Sequence, residues 1–183
     1  MKIKILFFTF LFSSVFSFAQ VYDLVIKGGV VVDPRNGINS TLDIAISEGK
    51  IAAVEKSISE KKAKKIIDAK GLLVTPGLID IHGHHFYGTS EDSYLSDGYS
   101  ALAPDGFTLR SGVTTVVDCG GAGWRNFKQF KAQTIDHSKT RVLSFLNIVG
   151  HGMKGGVIEQ NLEDMNPRMA ALVAQQFKQH IVG

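Results

Sequence analysis

Two histidines separated by one glycine are the residues of this sequence whose types and spacing best fit a chemical role. His82 and His84 close the segment 76–85, PGLIDIHGHH. The apolar run 78–81 predicts a buried parallel strand, and residues two apart on a strand point the same way. Imidazole nitrogen is a good ligand for zinc and similar ions. The pair therefore predicts a divalent metal site at the strand end, with a His-rich loop as the alternative.

The first residues of the chain predict export. Lys2 and Lys4 precede an apolar core at 5–15, and Ser17-Phe18-Ala19 offers a small-x-small cleavage site. This is the pattern of a signal peptide, residues 1–19. The apolar core is shorter than the about 20 residues of a membrane span. We therefore expect an exported protein, periplasmic or secreted, without a stable membrane anchor.

Composition places the remainder among folded globular proteins. The 183 residues are 44% hydrophobic and 20% charged, with a formal net charge of +3, which is enough apolar material for a core. No basic patch indicates nucleic-acid binding. The single cysteine, Cys119, excludes an internal disulfide, so stability must come from the core or from a metal.

Residues 20–75 predict a small module of short strands. β-branched and alternating segments occupy 23–32, 42–46, 51–54, 66–68 and 72–74, with glycine-containing turns between several of them. Short alternating strands with regular turns are typical of a β-sandwich.

Residues 76–183 predict strands that alternate with helices. Strands are expected at 78–81, 113–117 and 142–148, helices at 104–111, 124–134 and 167–180, and the start of a fourth strand at 181–183. Asn166 is expected to cap the last helix, and the glycine-rich stretch 120–123 to form a turn. Such βα units predict a parallel sheet. The segment is under half of the about 250 residues of a closed (β/α)8 barrel. It therefore predicts either a small open sheet or a fragment, and we favour the fragment, the N-terminal part of a TIM-like barrel.

Four phrases in order and spacing resemble the amidohydrolase superfamily. They are DLVIKGGVVVDP, GKIAAV, IDAKGLLVTPGLIDIHGHH and GVTTVVD. The resemblance covers residues 21–183, and GVTTVVDCGGAGWRNFKQF with RVLSFLNIVGHG is most similar to the amidohydrolase/deacetylase group, which is related to dihydroorotases.

The resemblance implies a hydrolase with one or two metal ions, zinc foremost. Activated water would attack an amide (C–N) or ester bond of a small N-acyl or O-acyl substrate. His82 and His84 match the first two metal ligands of the family. The other ligands and the general base are expected beyond Gly183, so this chain alone is expected to be inactive. A homo-oligomer is possible.

Several positions depart from the relatives or keep alternatives open. Phe86 stands where dihydroorotases usually carry a substrate-binding arginine. Cys119 lies near a metal-ligating cysteine of D-aminoacylases, which makes a mononuclear enzyme of that type one alternative and a buried structural thiol another. Asp80 either orients the histidines or packs, and His85 and His151 either contact substrate or are solvated in loops. A non-catalytic truncated or periplasmic binding protein is the remaining alternative.

Overall fold

The computed structural model describes residues 21–88 and 101–183, so the predicted signal peptide, 1–19, lies outside the described residues. The chain divides into two compact units, and the boundary lies between Pro76 and Gly77. The sequence places this boundary between residues 75 and 76. In the described residues no helix is both long and apolar enough to cross a bilayer.

The first unit is a five-stranded sheet. Its order is β3-β2-β1-β4, and β5 also pairs with β1. The hairpins β1–β2 and β2–β3 are antiparallel, while β4 and β5 run parallel to β1. Val25, Ala45 and Ile58 form the centre of its buried core together with Tyr22. The strands are β1 (Leu24–Asp33), β2 (Ile38–Ser47), β3 (Lys50–Glu55), β4 (Ile66–Asp68) and β5 (Leu73–Val74).

A buried ion pair joins β1, β2 and the segment after β3. The Asp43 carboxylate accepts hydrogen bonds from Lys27 Nζ at 2.7 Å, from Gly28 N at 2.9 Å and from Ile58 N at 2.8 Å. Gly28 adopts a positive φ of 70° within an irregular stretch of the β1–β2 ladder, a conformation that glycine adopts without strain. Desolvation opposes ionisation of Asp43, but these donors outweigh it and lower the pKa of Asp43.

The second unit contains a parallel sheet of three strands in the order β6-β7-β8. Its helices are short, except the last. Asn166 caps that last helix by accepting from Met169 N, as predicted. The elements are β6 (Leu78–Gly83), β7 (Val113–Gly123), α1 (Phe127–Phe130), β8 (Arg141–Asn147), α2 (Gly156–Glu159) and α3 (Pro167–Gln176).

The start of a fourth strand, predicted at 181–183, is confirmed. Ser144 and Ile181 form a parallel bridge. Val182 N donates to Ser144 O at 2.9 Å, and Leu146 N donates to Gly183 O at 2.7 Å. The chain therefore continues the parallel sheet beyond β8.

The core of this unit lies between the sheet and the helices. Phe127 and Phe130 of α1 are fully buried with Phe86 and Val116, and the rings of Phe86 and Phe130 lie 5.4 Å apart. β6 is less covered than predicted: Leu78, Ile79 and Ile81 are 57%, 64% and 67% exposed. Among the described residues β6 pairs only with β7, so it is an edge strand and not a buried one.

Three local predictions in this unit are wrong. Residues 104–111 form two separate 3₁₀ turns rather than one helix. The helix expected from residue 124 begins at Phe127, because Arg125 N is held by Gly150 O, and after α1 it continues as a π turn, Lys131–Ile135. The expected turn at 120–123 is the end of β7.

Removing the charge of Asp43 tests the ion pair of the first unit. Asp43→Asn should lower the free energy of unfolding by about 1–3 kcal/mol at pH 7, because a buried N–H donor loses its acceptor. Since the pKa of Asp43 is lowered in the folded state, its contribution is present above the unfolded value of about 3.9 and is lost as pH falls through the folded value.

Urea unfolding of wild type and variant at pH 7 and pH 3 measures this effect. The difference between the two proteins should shrink at pH 3. Glu55→Gln, which removes an exposed carboxylate from β3, serves as the control. A difference of the same size at both pH values would contradict the assignment.

Candidate metal site

The two predicted ligands lie at the carboxyl end of β6. His82 is exposed and His84 is partly buried. Their ring centroids are 5.9 Å apart with an interplanar angle of 79°. Two imidazoles at this separation are close enough to approach one ion from two sides. The rings therefore fit part of a metal-ligand set, in agreement with the strand spacing.

Gly83 is required between them for a steric reason. A Cβ at Gly83 would lie 2.5 Å from His85 Nε2, which is closer than non-bonded atoms approach. His85 is itself 7% exposed, and its Nδ1 lies 2.9 Å from Leu102 O. The prediction that His85 is a solvated loop residue is therefore wrong, because its ring fills the space beneath Gly83.

A buried carboxylate fixes the backbone that follows His84. Asp118 is fully buried and pairs in register with Gly83. Its Oδ2 accepts from His85 N at 2.6 Å and from Phe86 N at 3.3 Å, and its Oδ1 accepts from Gly121 N at 2.7 Å. The carboxylate thus connects the turn that follows β6 to β7 through hydrogen bonds. Burial raises the pKa of Asp118, and the N–H donors of His85 and Gly121 oppose that rise.

Two further hydrogen bonds hold the backbone of this turn. The Thr134 hydroxyl donates to His85 O at 3.1 Å, and Leu102 N donates to His84 O at 2.9 Å. A shift of the turn would break one or more of these hydrogen bonds, which is costly for buried backbone groups. The imidazole of His84 is therefore carried on a fixed backbone.

Asp80 supports the backbone rather than the imidazole rings. Its Oδ1 accepts from His82 N at 3.1 Å. Phe86, at the position where dihydroorotases carry arginine, is 2% exposed and belongs to the core. His151 is exposed on the loop after β8, which agrees with the alternative of a solvated loop histidine.

Cys119 lies beside β6, in surroundings that favour its protonated thiol over the thiolate. Its Sγ is 3.4 Å from Ile81 O. Burial first, and then the carboxylates of Asp118 and Asp80, raise the pKa of Cys119. Across residues 21–88 and 101–183, no three or more His, Cys, Asp or Glu side chains converge to hold an ion. Within that part of the chain, the rings of His82 and His84 are the two side chains placed as the sequence predicts for metal ligands.

Sequence reasoning did not identify the role of Asp118. It ends the phrase GVTTVVD, and its position directly after an apolar β-branched run could have marked it as a residue at the strand end. The backbone groups that Asp118 binds depend on the register between β6 and β7, and this register cannot be read from the sequence.

No protein-family model matches the chain, but individual proteins do. The chain is 35% identical over 120 residues to a deacetylase of Agrobacterium fabrum, a match that covers 65% of this chain and 28% of that protein. It is 31% identical over 156 residues to a dihydroorotase of Citrifermentans bemidjiense, covering 83% of this chain and 35% of that protein. The solved structure of an adenine deaminase is similar with a TM-score of 0.70 and 32% identity, covering 88% of this chain and 40% of that one.

These matches show that the chain belongs to the amidohydrolase superfamily and confirm the resemblance to deacetylases and dihydroorotases. They also confirm the fold class, part of a TIM-like barrel preceded by a β module. The chain spans between 28% and 40% of the length of these relatives.

Asp118→Asn tests the carboxylate that fixes the turn. An asparagine has one acceptor oxygen, so its amino group must face either Gly121 N or the N–H groups of His85 and Phe86. A buried donor without an acceptor costs about 1–3 kcal/mol. Amide exchange at His85 or Gly121 should therefore accelerate about tenfold or more.

Hydrogen exchange of the variant, read by mass spectrometry or NMR, measures this change. Glu163→Gln, which removes the charge of an exposed side chain in the same unit, should leave both amides as protected as in wild type. Unchanged protection of His85, Phe86 and Gly121 in Asp118→Asn would show that the carboxylate does not hold this turn.

Proposed function

We propose that this chain is part of a metal-dependent hydrolase that cleaves an amide (C–N) or ester bond of a small N-acyl or O-acyl substrate. The observation that carries the proposal is the pair of rings of His82 and His84, 5.9 Å apart at the carboxyl end of β6. Sites of parallel α/β sheets form at that end, and the chain belongs to a superfamily that includes a deacetylase and a dihydroorotase.

His82 and His84 are the residues of this chain that would hold the divalent metal, for which we propose zinc, as one ion or two. When bound, such an ion lowers the pKa of water and polarises a carbonyl. Each histidine supplies one neutral nitrogen ligand. Asp118 and Thr134 contribute by fixing the backbone after His84, which limits the directions in which that imidazole can point.

Two imidazoles are half of the four ligands of a typical zinc site. We therefore propose that the remaining ligands and the general base come from segments other than the described residues. The described part of the chain is accordingly proposed to be inactive by itself, and the tests below use the intact protein that carries it.

Substrate class, location and assembly are further proposals. A small-molecule substrate agrees with the names of the relatives. The signal-peptide pattern of residues 1–19 supports export to the periplasm or the medium. Nucleic acid is not proposed as a partner, and a homo-oligomer remains open.

Substitution of the two histidines tests the metal site. His82→Ala and His84→Ala in the intact protein should each weaken metal binding at least about tenfold. Loss of a group that only supports a ligand already costs about 10–100-fold in metal affinity, and loss of the ligand itself should cost at least as much. Hydrolysis of N-acetyl amino acids and acetate esters should fall with the metal content.

Elemental analysis after dialysis against a metal buffer measures the loss. His137→Ala removes an exposed histidine of the same unit and should retain the metal content of wild type. Full metal content in both the His82 and His84 variants would refute the proposed ligands.

Cys119→Ser addresses the mononuclear alternative, in which the cysteine binds the metal. Its thiol lies next to Ile81, one residue before His82, so the alternative has a structural basis. We expect metal content and turnover of Cys119→Ser to stay within about twofold of wild type, because the Cys119 thiol is directed at the backbone oxygen of Ile81, a contact that a serine hydroxyl can also make. A loss of metal equal to that in His82→Ala would instead support the cysteine-ligated enzyme.

A further inference from the structure

One pocket of the second unit lies on the loops that follow β7 and β8. Its volume is about 370 Å³. Arg125 follows the end of β7 by two residues, and His151 lies on the loop after β8. The side chains that matter for its chemistry are Arg125, His151, Lys154 and Asp164, with the apolar Val157 and Ile158 beside them.

Arg125 is held in place by two side chains. Its Nε donates to Asp164 Oδ1 at 2.7 Å, and its guanidinium carbon lies 4.0 Å from the centroid of the Trp124 ring. Trp124 is itself anchored, since its Nε1 donates to Asp164 O at 3.2 Å. A guanidinium that is stacked and bonded on one side loses little further freedom when it binds a ligand.

The two terminal nitrogens of Arg125 remain available for a ligand. Within the described residues, Nε is the atom of this guanidinium that donates a hydrogen bond. The Arg125 side chain is 48% exposed, whereas that of Asp164 is 10% exposed. The terminal N–H groups of arginine form a planar fork that matches the two oxygens of a carboxylate. Arg125 lines the pocket, so it offers there a donor group suited to an oxyanion.

The charge balance of the pocket also favours an anion. Arg125 and Lys154 contribute two positive charges, and Asp164 is the carboxylate that opposes them. Burial opposes ionisation of Asp164, but its hydrogen bond and its attraction to Arg125 outweigh burial and lower the pKa of Asp164. The lining therefore combines two cationic side chains with one ionised carboxylate.

The loops that form the pocket start from the same sheet edge as the metal-site histidines. β6, β7 and β8 are parallel neighbours, so their carboxyl ends meet at one edge. Arg125 N donates to Gly150 O at 2.9 Å, and His151 N donates to Asp164 Oδ2 at 3.3 Å. These bonds join the loop after β7 to the loop after β8.

We propose that this pocket binds a carboxylate group of the substrate through the terminal nitrogens of Arg125, so that the hydrolase prefers acyl compounds carrying a free carboxylate. The substrate preference rests on the proposed hydrolase function, whereas binding of a carboxylate at Arg125 does not. Arg125 acts here as a specificity-determining residue, and Asp164 and Trp124 position it.

The test compares matched acids and amides. Three forms of the intact protein are compared: wild type, Arg125→Gln and Lys128→Gln. The substrates are N-acetylglycine, N-acetylalanine and N-acetylphenylalanine, and the carboxamide of each. Lys128 is an exposed lysine of α1 that does not line the pocket, so it controls for loss of surface charge. Arg125→Gln should lower kcat/KM for the acids about 10–100-fold, the effect of a lost hydrogen bond to a charged group, and leave the amides unchanged.

A second measurement does not require turnover. Phenylglyoxal modifies accessible arginines, and mass spectrometry gives the rate at Arg125 relative to the exposed Arg35. Each acid should slow modification of Arg125 saturably, about twofold at half-saturation, while its carboxamide and Arg35 show no change.

The outcomes separate the two proposals. In one outcome the acids protect Arg125 from phenylglyoxal, while the His82 and His84 variants keep their metal. This result would refute the proposed metal ligands and support the anion pocket. Absence of protection by every acid, or an equal fall in kcat/KM for acids and amides in Arg125→Gln, would overturn the carboxylate proposal whatever the metal result.

Discussion

The buried carboxylate of Asp118 is the constraint on which the candidate site depends. It accepts N–H groups from two segments of the chain, the turn after β6 and the end of β7. Such an acceptor cannot be removed without leaving buried donors unbonded. The turn begins at His84. The hydrogen bonds that Asp118 makes to this turn therefore also fix the backbone that carries the His84 imidazole, one of the two proposed ligands. One side chain therefore contributes both to the local fold and to the position of this ligand.

Carboxylates that bind backbone N–H groups recur through both units. Asp43 joins β1 to the segment after β3, and Asp105 accepts from Lys139 N and Thr140 N just before β8. Asp164 holds Arg125 and accepts from His151 N. Loops that carry functional residues expose backbone groups that strands would otherwise bond. In the described residues, Asp105, Asp118 and Asp164 each supply acceptors to backbone N–H groups of such segments.

The part of the fold that follows from local pattern was predictable. The strand at 78–81, its two histidines and the cap at Asn166 each depend on spacing or on residues within one turn of the chain. The bonds of Asp118, the burial of His85 and the late start of α1 depend on which distant segments meet. The glycine-rich end of β7 shows the difference well. Its composition is that of a turn, but glycine is needed there because a Cβ at Gly123 would lie 1.9 Å from Val149 O.

The most direct measurement is anomalous X-ray diffraction from crystals of the intact protein grown with zinc. The account predicts an anomalous peak within about 2.0–2.1 Å of one nitrogen of His82 and one nitrogen of His84, with Asp118 still bonded to the backbone of His85. A well-occupied zinc peak elsewhere, with the two imidazoles turned toward separate hydrogen-bond partners, would contradict it.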